Sequence, residues 1–67
     1  MERQAVIHDL SAEIETLARL HIQYGLQKTP GFARQKEVIA RVVRDHEVDI
    51  RRELEPHVLN LYRRYFE

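Results

Sequence analysis

Ile7-His8-Asp9-Leu10-Ser11-Ala12-Glu13-Ile14-Glu15-Thr16-Leu17-Ala18-Arg19-Leu20-His21-Ile22-Gln23-Tyr24-Gly25 is the stretch on which the fold turns. Ile7, Leu10, Ile14, Leu17, His21 and Tyr24 alternate steps of three and four without a miss, and Val6 and Ala18 flank them. That spacing belongs to a helix that buries one face along its whole length. Gly25 follows the seam where a left-handed residue commonly ends a helix, and Leu26 behind it is placed to fold back on Leu20 or the stem of His21. Ser11 is a competing N-cap, but the seam runs through it, so the first helix is placed at about 3–24.

Downstream, residues 25–29 form a short loop that ends in Thr29-Pro30. A threonine oxygen can cap free amides, and proline suits the first helical position, where no N–H is needed. The second helix is expected over about 30–54, with Phe32, Ile39, Val43, His46, Ile50 and Leu54 on one side. A loop this short favours an antiparallel hairpin. Glu37 with Arg41 and Glu47 with Arg51 lace the outer face. Pro56 then forces a break at Glu55-Pro56, because its ring clashes with the preceding turn and it lacks an N–H to donate. Counting 100° per residue, Val58, Leu61, Tyr62, Tyr65 and Phe66 centre roughly 100° away from the apolar face of the second helix. A third helix over about 56–66 follows.

The fold class is therefore all-α: an antiparallel helical hairpin plus a short C-terminal helix, in a single domain over 1–67. A chain of 67 residues has a thin stability margin, and with no cysteine it has neither disulfides nor thiolate zinc sites to staple it. A lone hairpin leaves one side of each apolar stripe wet. Association is the expected remedy, most simply a homodimer forming a four-helix-bundle-like oligomer. The expected interface is Ile7, Leu10, Ile14, Leu17, His21, Ile39, Val43, His46 and Ile50. Eleven basic and eleven acidic residues cancel, so no net field draws nucleic acid or anionic membrane. No apolar run approaches the ~18 residues of a membrane span, and the absence of cysteine suits a reducing compartment, so a cytoplasmic location is expected.

His21 and His46 stand near the centres of the two apolar faces. A histidine there commonly packs its ring in the core and bonds a carbonyl or a neighbouring side chain, in which case leucine in its place should stabilise. The alternative is a metal-binding helical protein with ligands at a subunit interface. The two imidazoles would lie about 20 Å apart in one hairpin, so only a second copy could bring them together. Asp45, Asp49, Glu53 and His57 follow at i+4 steps and would form an acidic stripe ending in an imidazole. His21, His46, Asp49, Glu53 and His57 are thus the metal candidates, set against a stripe paired with Arg41 and Arg52. His8 lies opposite the seam.

Neither a nucleophile triad nor a P-loop can be assembled from one serine, no cysteine and two isolated glycines, so no enzyme and no cofactor are expected. Leu59, Tyr62, Arg63, Tyr65 and Phe66 mark the third helix as a surface for another protein. Its arginines leave a small nucleic-acid-binding regulator as a further alternative. Leu61-Tyr62-Arg63 spells the tripeptide that names the mitochondrial LYR proteins, and Val58 to Phe66 resembles the helix that carries it. There the motif opens the domain and further helices follow it, whereas here it stands in the last helix, and no role is carried over. The reading is a non-enzymatic interaction or regulatory module that self-associates through helical faces.

Overall fold

The computed structural model describes residues 2–24 and 30–67, and every regular element in them is helical: α1 (Arg3–Tyr24), α2 (Pro30–Asp45), α3 (Ile50–Glu53) and α4 (Pro56–Phe66). The Gly25 stop, the Leu26 fold-back and the Thr29 cap lie outside the described residues. α1 starts at Arg3, four residues ahead of its seam, and Ser11 lies inside it. Val6, Leu10, Ile14, Leu17 and Ala18 are the side chains it buries.

Both long partners pack on α1. His21 meets Phe32, Glu13 meets Gln35 and Arg3 meets His46, so α2 runs antiparallel to α1 as expected. Glu15 meets His57 and His21 meets Tyr65, so α4 runs parallel to α1. The architecture is an up–down–up arrangement of three helices, with α3 as the turn into the last of them. Leu10, Ile14, Leu17, Ile39 and Val58 are fully buried, and Phe32, Val48, Leu54 and Tyr65 complete the core. Each such apolar side chain stabilises by about 1.5–3 kcal/mol relative to exposure. α4 therefore closes the core within one chain, where the sequence suggested a second copy would be needed.

The helix expected over 30–54 is two helices, not one. α2 ends at Asp45, and Glu47 adopts φ 48°, in the left-handed region that glycine normally fills. The Val48 N–H donates to the Val43 carbonyl at 3.0 Å and the Glu47 N–H to the Arg44 carbonyl at 3.3 Å. These two bonds define a Schellman stop, and Val48 is buried beyond it while Val43 packs against the same core. The physical reason is tertiary: burying Val48 turns the chain toward α1, and that gain offsets the strain at Glu47. By contrast, the break expected at Glu55-Pro56 is present. Leu54 and Glu55 are extended (ψ 141° and 158°), and Pro56 opens α4 at its first turn.

Candidate interaction surface

His21 is half-buried, and its Nδ1 lies 2.8 Å from the Tyr65 hydroxyl. Its ring also stands edge-on to Phe32 (centroids 6.4 Å apart) and to Tyr65 (5.4 Å), and Phe32 and Tyr65 meet edge-to-face at 5.8 Å. One ring from each long helix thus meets at the end of the bundle, in the geometry aromatic pairs prefer. The seam put His21 there because the helical period requires a core-facing side chain at that position. Its polar atom is satisfied by Tyr65, which removes Tyr65 from the surface expected to meet a partner: Tyr65 is a core residue.

His46 is exposed in the turn after α2 and sits on no apolar face, because the helix stops one residue before it. Its carbonyl, not its ring, has a structural task. The Arg3 Nη1 donates to the His46 carbonyl and Nη2 to the Glu47 carbonyl at 3.0 Å, so a guanidinium from α1 caps the free carbonyls ending α2. The same guanidinium grips Glu53 in a fork, Nε to Oε1 and Nη2 to Oε2, both 2.7 Å. Glu53 Oε2 also accepts the Asp49 N–H at 2.7 Å. The Arg3 hydrogen bonds, helped by the Asp49 amide, hold the Glu53 carboxyl down to about 2, well below the usual carboxylate range.

The knot dissolves the expected acidic stripe. Asp45 ends α2 beside Arg44 at 3.6 Å, Asp49 precedes α3, Glu53 belongs to Arg3, and His57 lies 3.8 Å from Glu15. Arg41 pairs with Glu37 at 3.3 Å, as the i+4 spacing suggested, and not with Asp45. Among the described residues no three of His, Cys, Asp or Glu converge on a point where an ion could sit. No buried side-chain nitrogen or oxygen among them lacks a hydrogen-bond partner.

What the core leaves outside falls in two places. On α4, Tyr62 and Phe66 stack face to face (4.5 Å, 5° apart) with Lys36 above the Phe66 ring at 5.1 Å, while Arg63 reaches Glu67 at 3.5 Å. Burial pushes the Tyr62 phenol up, and Glu67 adds to the effect. Leu59 packs beside them, partly covered. The second place is a groove between α1 and the α3–α4 segment. Its first half holds about 350 Å³ and is lined by Ile7, Ser11, Ala12, Glu15, Glu55 and Val58 among others. It continues past Ala18, Arg19, His57 and Leu61 to Ile22, which is 81% exposed.

Of the expected interface residues, Leu10, Ile14, Leu17 and Ile39 lie fully inside the chain's own core. Ile7, Val43 and Ile50 are partly covered against it. Sequence reading missed Arg3, which carries no local signal, and Ile22, whose signal is the stripe Ser11, Glu15, Ala18, Ile22 that leaves the seam at Ile7 and runs one step beside it. Among the described residues no helix is long and apolar enough to cross a membrane. Comparison of the chain with protein families, with curated proteins and with solved structures returned no match.

Proposed function

We propose that this chain is a non-enzymatic interaction module that self-associates through a helical face and offers the aromatic edge of α4 to another protein. The observation that carries the reading is where the uncovered apolar surface lies. Among the described residues Ile22 is the large apolar side chain left exposed, and it stands at one end of the α1/α4 groove, whose lining includes the partly covered Ile7 and Leu61. Two of the polar groups that stood out have structural partners: Arg3 holds Glu53, and His21 holds Tyr65. The Tyr62–Phe66 stack, with Lys36 above it, suits the second role, since aromatic side chains anchor many interfaces. The absence of cysteine suits a reducing compartment such as the cytoplasm.

Sedimentation equilibrium of the untagged chain tests the reading. A reversible dimer at micromolar concentration is expected, and a monomer up to millimolar concentration overturns self-association. A dimer that carries stoichiometric metal and that a chelator dissociates would instead favour the metal-binding alternative.

A further inference from the structure

We infer that the α1/α4 groove is a two-fold interface between two copies of this chain, with the two α1 helices antiparallel across the axis; this rests on the self-association proposed above and specifies its face. The stripe that lines the α1 side, Ile7, Ser11, Glu15, Ala18, Ile22, is symmetric in side-chain size about its middle. A large aliphatic side chain stands at each end and a small residue on either side of a central glutamate. Rotation about an axis near Glu15 sets Ile7 of one copy opposite Ile22 of the other, and Ser11 opposite Ala18. Small residues there let the two helices approach closely. From Ile7 to Ile22 the stripe spans about 22 Å at 1.5 Å per residue.

Charge obeys the same symmetry. The groove is acidic where the α3–α4 turn lines it, through Glu55, the neighbouring Glu53 being already held by Arg3. It is basic at the far end, through Arg19 and through exposed Arg64, which shares the α4 line of His57 and Leu61 by helical period. A two-fold rotation lays the acidic end of one copy on the basic end of the other, the self-complementarity that an isologous interface requires. At the axis Glu15 has the His57 ring 3.8 Å away. A standard interface covers about 800 Å² per partner, about one sixth of the 5006 Å² this chain exposes. Four helices, α1 and α4 of each copy, then surround the axis. This restores the bundle expected from the sequence with α4 in the place of α2.

The chain has no cysteine of its own, which makes cross-linking clean. Ile7→Cys and Ile22→Cys are made separately, mixed and oxidised. The expected result is a disulfide dimer in the mixture and little in either variant alone, because like positions stand about 22 Å apart across the axis. Ile22→Glu, at a position so exposed that the monomer fold is unaffected, should weaken dimerisation at least tenfold with an unchanged circular dichroism spectrum. A wild-type chain that is monomeric throughout overturns both self-association and this face, and a different protein in the groove is then the remaining occupant. A wild-type dimer that survives Ile22→Glu, or that cross-links only like with like, overturns this face while leaving self-association standing.

Discussion

Glu47 holds a backbone conformation that costs a residue with a Cβ about 1–2 kcal/mol, and its side chain is exposed. Glu47→Gly should therefore stabilise the chain by about 0.5–1 kcal/mol after glycine's larger entropy loss is deducted, measurable by urea unfolding. Six positions on, Glu53 carries the acid sensitivity of the fold. Its folded pKa of about 2 lies below the ordinary 4.5, so the unfolded state binds the proton more readily. The stabilisation is whole above about pH 4.5 and is lost as pH falls toward 2. In an acid titration of the urea midpoint, Glu53→Gln should flatten that interval and leave the slope above pH 5 unchanged. His21 behaves differently from a misplaced apolar residue. Because it bonds Tyr65, leucine there removes a partner as well as a polar atom, and a cycle of His21→Leu with Tyr65→Phe should show coupling of about 1 kcal/mol. His46→Leu should change stability by less than about 0.5 kcal/mol, since only the main chain of His46 is engaged.

At the level of elements, α1 and α4 were legible in the sequence and the end of α2 was not. Six seam positions in strict three–four alternation place α1 from residue 3 to 24, and Pro56 dictates where α4 opens. α2 stops at a glutamate where a glycine would have announced the end, and what makes the stop worthwhile is distant: the burial of Val48 and the reach of Arg3 across 44 residues to the Glu47 carbonyl. No local pattern encodes either. The same limit hid the groove, because a stripe beside a strong seam looks like ordinary surface until α4 is seen to lie along it. The turn also changes what Pro56 does. With Leu54 buried and Glu53 held by Arg3, the chain is fixed on both sides of the break, so Pro56→Ala cannot fuse α3 to α4 into one rod. It should lower stability by about 0.5 kcal/mol through the freer unfolded chain, with no gain in the helical circular dichroism signal.

For the molecule as a whole, closure of the core by α4 is the feature that separates this fold from a hairpin with an appendage. Val58→Ala tests it: two lost methyl groups and the space they leave should cost about 2 kcal/mol in thermal or urea unfolding. An appended helix would register almost nothing. Order along the chain adds a kinetic side to this arrangement. α1 precedes both of the helices that cover it, and Tyr65, which seals the end of its seam, follows His21 by 44 residues. At about 5–20 residues per second, synthesis takes about 2–9 s to traverse that separation. For those seconds a nascent chain displays a finished helix with half its apolar seam still wet, open to chaperones or to the same seam on a chain leaving the next ribosome.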